Sequence, residues 1–269
     1  MRLVGFVVLL LSMAISHADV VVLSEAHSPA LQQLVVRLSD ALAKPVSLRQ
    51  EASELSADDI VILAGDGAVT GWRGKQHSIA VWARREAILA NVDRLSSGIF
   101  SEPPLQRQLD LARAAFPGDQ ISVLMSDSAP EWLRQEASVL SGENYSLVEK
   151  RANQSLNQVL RQALAKHDVI LGTADPAVFN ASTIKNILIT AYRQNIPLVG
   201  PHQAYIRAGA IVTTYSSLDD TVARLVDLLS ADSLPPPAHN PYFSVLKNEQ
   251  VARSLDITLP DNIDTLLNK

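Results

Sequence analysis

The 269-residue sequence predicts an α/β architecture: two Rossmann-like lobes with parallel sheets, joined by hinge crossings. Three observations carry that expectation. Short β-branched or aliphatic runs alternate with amphipathic segments of helical length from residue 20 onward, the rhythm of strand–helix–strand units around a parallel sheet. A segment bearing glycine and paired prolines, Ser96-Ser-Gly-Ile-Phe-Ser-Glu-Pro-Pro104, breaks that rhythm, which then restarts. Residues 168–217 repeat strand, small polar turn and helix in a way that lines loops along one sheet edge.

The first lobe begins with the aliphatic run Val20 to Leu23. Ser28-Pro29 then supplies an N-cap and a proline at the first helical position, and apolar residues recur at 31, 34, 35, 38 and 42. Further strands are expected at Val46 to Leu48, Ile60 to Leu63 and Ser78 to Trp82. After the linker at 96–104, a helix over Leu105 to Phe116 precedes the strand Ile121 to Met125. Ser128-Ala-Pro-Glu131 has the form of a capping box for a helix reaching Leu140. A strand from Ser146 to Glu149 and a helix from Leu156 to Lys166 lead to the strand Asp168 to Leu171, a helix from Asn180 to Gln194, and strands Ile196 to Val199 and Ala210 to Thr214. Leu218 to Leu229 is amphipathic with apolar residues at 218, 222, 225, 226 and 229. The proline-rich stretch 233–241 is a second linker, followed by a strand at Phe243 to Leu246 and a helix at Asn248 to Leu255.

Met1-Arg2, an apolar run from Leu3 to Ile15, and Ser16-His17-Ala18 form an export leader with cleavage after Ala18. The run is shorter than the roughly 20 apolar residues of a membrane-spanning helix. A formal charge of −5 gives no electrostatic reason to bind nucleic acid or anionic lipid. With no cysteine, disulfides and a lipid-modified cysteine are excluded, and the core alone must stabilise the fold. These features point to a soluble periplasmic protein retained by a Gram-negative outer membrane.

Several segments resemble those of the type I periplasmic substrate-binding proteins of ABC transporters, in the group that includes tryptophan- and tyrosine-binding members. PPLQRQLDLARAAFPGDQISVLMS is similar to that family's passage into the second lobe, IPLVGPHQAYIRAGAIVTTYSS to its strand, specificity turn and return strand, and FSVLKNEQVARSLDITLP to its terminal strand–helix–proline signature. The resemblance implies three chain crossings, near 96–104, 215–217 and 233–241. It divides the chain into a leader (1–18), an N-terminal lobe (19–98 plus 216–238) and a C-terminal lobe (103–213 plus 241–269). The first half departs from the pattern: its first turn is Ser24-Glu-Ala-His-Ser28, and residues 69–95 lack the family's usual Ile-Pro-Ile-Val-Phe strand.

Ligands of open α/β sheets lie beyond the carboxyl ends of the strands, and two facing lobes make a cleft that closes on a small molecule. Strand ends here supply Ser24, His27 and Ser28, then Asp66, then Ser126, Asp127 and Ser128, then Thr173 and Asp175, and finally His202 and Gln203. Hydroxyls beside helix N-termini suit a carboxylate, while Asp127 or Asp175 suits an ammonium group, so a zwitterion such as an amino acid satisfies both. Ser28 and Ser128 are sufficiently explained as N-caps, the reading preferred over ligand contact. Aromatic residues make up 5% of the chain and do not cluster in the strand-end loops, which speaks against an aromatic pocket.

The function so implied is periplasmic solute binding: capture of a small polar ligand, an amino acid or related carboxylate, for an ABC transporter. The alternative is a ligand-sensing or accessory protein of the same fold that signals to a membrane receptor or kinase. Catalysis is not expected, since no Gly-x-Ser-x-Gly elbow is present. No cofactor is expected either: Gly65 to Gly71 has the form GxGxxxG after the third strand, unlike a dinucleotide fingerprint. The six histidines lack metal-site spacing. The partners expected are a small-molecule ligand and a permease or membrane sensor, with no nucleic acid, and the chain is expected to be a monomer.

Overall fold

The computed structural model describes residues 19–53, 55–263 and 267; the expected leader and its cleavage site lie outside them. In chain order the first half contains β1 (Val20–Leu23), α1 (Pro29–Leu42), β2 (Val46–Arg49), β3 (Ile60–Ala64), α2 (Asp66–Gly71), β4 (His77–Ala83), α3 (Arg85–Leu89) and β5 (Ser97–Phe100). The second half continues with α4 (Leu105–Ala115), β6 (Ile121–Ser126), α5 (Glu131–Ser138), β7 (Tyr145–Lys150), α6 (Leu156–Leu164), β8 (Val169–Gly172), α7 (Ile184–Tyr192), β9 (Leu198–Val199), α8 (Ala204–Ala208) and β10 (Val212–Tyr215). The tail adds α9 (Leu218–Leu229), β11 (Ala238–His239), β12 (Ser244–Lys247) and α10 (Glu249–Ser254).

These strands form two six-stranded sheets. The first has the order β11-β5-β4-β3-β1-β2 and is parallel throughout. The second has the order β12-β10-β9-β8-β6-β7 and is parallel except for β12, which runs antiparallel to β10. The chain therefore passes between sheets after β5, after β10 and after β11.

Each sheet is covered on both faces, which is why β1, β5, β6 and β8 are buried at every position. In the first lobe Val20 and Val22 pack with α1 and with Val222, Leu225 and Leu228 of α9. Leu23, Val61 and Leu63 face the other way, toward Val69, Trp72 and Ile88. The second lobe divides similarly, with α4, α5 and the tail on one face and α6, α7 and α8 on the other. Ser28 caps α1 as the sequence predicts, its Oγ accepting the Leu31 N–H at 3.2 Å, with Pro29 opening the helix.

Four local expectations are corrected. The linker placed over 96–104 begins with β5, buried between β4 and β11. The capping box sits elsewhere: α5 opens at Glu131 behind Pro130, the Ser128 hydroxyl meets Ser126 Oγ at 3.1 Å, and the reciprocal Ser217–Asp220 pair caps α9. Residues 66–71, read as a glycine loop, form α2. The last strand, β12, reverses direction in an otherwise parallel sheet.

Candidate functional site

A cavity of about 850 Å³ lies between the lobes at the carboxyl ends of both sheets. The first lobe contributes the end of β4 (Val81, Trp82, Arg84, Glu86) and of β5 (Ile99 to Glu102). The second contributes the loop after β8 (Thr173, Ala174, Pro176, Phe179), the turn after β9 (Pro201 to Gln203, with Tyr205), and the end of β10. Tyr215, Ser216, Ser217 and Thr221, where the chain recrosses, close one side. Its volume falls in the range of small-molecule sites.

Local structure explains how these side chains reach the cavity. The β4–β5 register shifts between Ala80 and Ala83, and Trp82 within that bulge has φ +53°. A β-branched or bulky residue in the left-handed region is strained and stays there only where its surroundings hold it. The bulge also breaks the two-residue alternation: Ala80 packs on the α3 side of the sheet, whereas Trp82 packs on the α1 and α9 side and lines the cavity. Opposite it, Gly172 ends β8 with no room for a side chain. A Cβ there would lie 2.9 Å from Pro201 Cδ and 3.2 Å from Phe179. That close approach sets the β8 and β9 turns side by side.

The turn after β9 rests on a buried amide. Gln108 of α4 donates from Nε2 to the Gly200 carbonyl (2.8 Å) and to Thr213 Oγ1 (2.9 Å). Its Oε1 accepts the Thr214 N–H (3.1 Å) and the Thr214 hydroxyl (2.9 Å). Above it, His202 and Tyr205 meet edge to face at 4.7 Å, and Tyr205 meets Phe179 at 6.4 Å. Burial lowers the His202 pKa, favouring the neutral imidazole, and pushes the Tyr205 phenol up to about 12.

Charge is distributed unevenly around the wall. Arg84 is engaged by Asp66, whose carboxylate meets its Nε at 2.5 Å and its backbone N–H at 2.7 Å. Glu86 Oε1 accepts the Trp132 indole N–H at 3.1 Å across the lobes. Glu102 Oε2 accepts the Arg85 N–H at 2.9 Å. Burial raises the Glu102 pKa against that hydrogen bond, and the negative charges of Glu86 and Asp66 add to the rise. Beside this wall, α3 and α5 touch through an ion pair between Arg85 and Glu136, with His239 Nε2 2.8 Å from Glu136 Oε1.

No protein-family model matches this sequence, and no curated protein matches it. Solved structures do. The ABC domain in complex with L-Trp from Streptococcus pneumonia is 17% identical, with 93% of this chain and 98% of that chain covered and a TM-score of 0.55. A ligand-free, open substrate-binding protein with adhesive properties from Clostridium difficile is 16% identical, covering 91% and 97%, with a TM-score of 0.67. A conserved domain protein from Vibrio cholerae is 16% identical, covering 92% and 97%, with a TM-score of 0.54. The chain has the fold of the type I substrate-binding proteins.

Within that binding-protein fold, the residues singled out from sequence fall into two groups. Thr173, His202 and Gln203 line the cavity. The rest lie outside its wall. Ser24 is buried and its Oγ accepts the Ala26 N–H, His27 accepts from Gln50 Nε2 at 2.8 Å, and Ser28 caps α1. Asp66 is occupied by Arg84. Ser126 is buried beneath the loop, and Asp127 accepts the Ala152 N–H at 2.8 Å. Asp175 is fully buried, its two oxygens accepting the Ser126 N–H (2.5 Å) and the Ala177 N–H (2.9 Å), so it ties β6 to the loop after β8. The cavity is thus centred on the ends of β4, β5, β8, β9 and β10, on the crossing side, with Ala30 and Pro130 its lining residues after β1 and β6. It is also aromatic, contrary to the composition-based expectation: Trp82, Phe100, Phe179, Tyr205 and Tyr215 all line it.

Proposed function

We propose that this protein is a periplasmic solute-binding protein that captures a small molecule between its lobes and presents it to an ABC transporter. One observation carries the reading: a cavity of about 850 Å³ built jointly by both lobes at the carboxyl ends of both parallel sheets. Its aromatic walls favour a ligand with a flat or apolar body, and the Ser101, Ser216 and Gln203 side chains offer it hydrogen bonds. The amino acid or related carboxylate expected from sequence is one such molecule. Among the described residues no helix is long and apolar enough to cross a membrane. The Clostridium difficile neighbour, described as a substrate-binding protein, supports a binding rather than a catalytic role.

The test is a thermal-shift screen of amino acids, amines, short peptides and aromatic carboxylates against the purified protein. A ligand that binds the folded state alone raises the melting temperature in proportion to RT ln(1 + [L]/Kd), about 2.7 kcal/mol at a hundredfold excess over Kd. A hit whose stabilisation disappears on Tyr205→Ala supports the site. A screen in which no solute shifts the melt at millimolar concentration overturns the reading.

A further inference from the structure

We infer that the interlobe cavity selects an organic cation, an amine carried on an aromatic or apolar body, and that a ligand carboxylate is not needed for recognition. The inference rests on the solute-binding reading and names the chemical class of its ligand.

Two features of the wall point the same way. The first is the set of rings from both lobes, Trp82 and Phe100 on one side and Phe179, Tyr205 and Tyr215 on the other. The face of an aromatic ring is electronegative and attracts a desolvated ammonium group, while the same face repels a carboxylate. The second is the pairing of the charges. Arg84, the only arginine or lysine among the lining residues, has its Nε and its backbone amide engaged by Asp66, and its charge acts at longer range on Glu86 and Glu102 as well. Arg85, just behind the wall, is consumed by Glu136. Glu86 and Glu102 are thus wall carboxylates whose hydrogen-bond donors are neutral, an indole N–H and a backbone N–H; among the described residues neither makes a salt bridge, and together they outnumber the single lining cation.

An anionic ligand group would therefore enter a space edged by two carboxylates and by ring faces, with a neutral imidazole at His202. A cation would relieve the repulsion between Glu86 and Glu102. An α-amino acid presents both charges. On this wall its ammonium is matched, and its carboxylate adds a desolvation penalty without a matching partner.

Isothermal titration of the purified protein, expressed from the full chain, with tryptamine, phenethylamine, L-tryptophan and indole-3-propionate separates the cases. The expected order is tryptamine tightest, L-tryptophan at least about tenfold weaker, and indole-3-propionate weakest. Glu86→Gln and Glu102→Gln each keep the oxygen that accepts the neutral donor and remove the charge, so each should weaken tryptamine by about tenfold while narrowing its advantage over L-tryptophan. If either variant fails to fold, the order of the four probes on the unaltered protein decides alone. Equal or tighter binding of L-tryptophan or indole-3-propionate overturns the cation inference and leaves solute binding standing. If none of these probes binds and the wider solute screen is also empty, the binding reading falls and the inference falls with it.

Discussion

The Arg85 guanidinium of α3 and the Glu136 carboxylate of α5 form an ion pair that joins the two lobes beside the first and third chain crossings, where Glu136 also accepts the Leu105 N–H and lies 2.8 Å from His239 Nε2. The guanidinium lies between two rings, 4.6 Å from the Phe100 centroid and 4.5 Å from that of Trp132, one from each lobe. Both charged side chains are more than four-fifths covered. The relative position of the lobes therefore depends on side-chain contacts as well as on the crossings.

Replacing Arg85 with methionine should leave Glu136 partly buried without its guanidinium partner and destabilise the protein by about 2 kcal/mol. The double variant Arg85→Met, Glu136→Leu should cost less than the sum of its parts. Urea denaturation of the four members of the cycle measures the coupling, and small-angle scattering of the single variant should show a larger radius of gyration.

The same carboxylate sets an acid limit. Burial alone would raise the Glu136 pKa, but hydrogen bonds from His239, the Leu105 amide and Arg85 outweigh it and hold the group at about 2, against 4.5 when unfolded. A depressed folded value stabilises the native state fully above the unfolded pKa, and that contribution is lost as pH falls through the folded one. Stability should therefore decline between about pH 4.5 and 2 in the natural protein. Glu136→Gln should be less stable at pH 7 and show a shallower decline over that window, read by thermal denaturation at stepped pH.

Gln108 offers a separate test of the turn that carries His202. Its amide bonds to Gly200, Thr213 and Thr214 within the core, and Gln108→Leu takes the acceptor from the Thr214 N–H and hydroxyl while the Thr213 hydroxyl still reaches the Gly200 carbonyl. The expected loss is about 1–3 kcal/mol of stability. Ligand affinity should fall as well, because the turn loses its support. A variant with unchanged stability would show that the network is relaxed by other partners.

Asp175 and His202 should separate cleanly. Asp175→Ala removes the acceptor of two backbone N–H groups and is expected to destabilise the fold by about 1–3 kcal/mol. His202→Ala should leave the melting temperature of the free protein within a few degrees and weaken any ligand found. Titration calorimetry beside thermal denaturation distinguishes the two effects.

Trp82 should report occupancy. Of the three tryptophans, Trp72 is buried in the first lobe, Trp132 lies in the cross-lobe contact and Trp82 lines the cavity. Ligand addition should change the intrinsic fluorescence, and Trp82→Phe should abolish most of that change.

Much of the fold was legible because the signals that form it are local. Ser28-Pro29 reads as a helix start and is one, and the run from Val169 to Tyr215 gives its strands by aliphatic content and its turns by glycine and proline. β5 was hidden because Ser97-Gly-Ile-Phe100 looks like a linker. It is a strand because it pairs in parallel with β4 on one side and β11 on the other with every residue buried, and Gly98 suits the close packing there: a Cβ on it would lie 3.3 Å from Ala80 and 3.4 Å from Ile88 and Pro237. The aromatic wall was hidden for another reason. Its residues stand at 82, 100, 179, 205 and 215, dispersed along the sequence and gathered only by the two sheets facing each other. The bulge that turns Trp82 across its sheet leaves no mark in the pattern of residue types. Polar residues after β6 and β8 stand at strand ends, where ligands of such sheets lie, yet Asp127 and Asp175 accept backbone N–H groups there instead.

The position of α9 has a consequence for how the molecule is made. Val222, Leu225 and Leu228 complete the first lobe's core, and β11 closes its sheet edge, although both come after the whole of β6 to β10. Ala252, Leu259 and Ile263 in turn complete the second lobe. Each lobe is finished by chain that follows most of the other, so a nascent polypeptide ending at residue 215 would hold two incomplete cores, with β5 and β10 each lacking one partner strand. Such long-range closure favours late, coupled folding. Neither half should mature ahead of its partner, and both should reach the native state only when nearly the entire polypeptide is available.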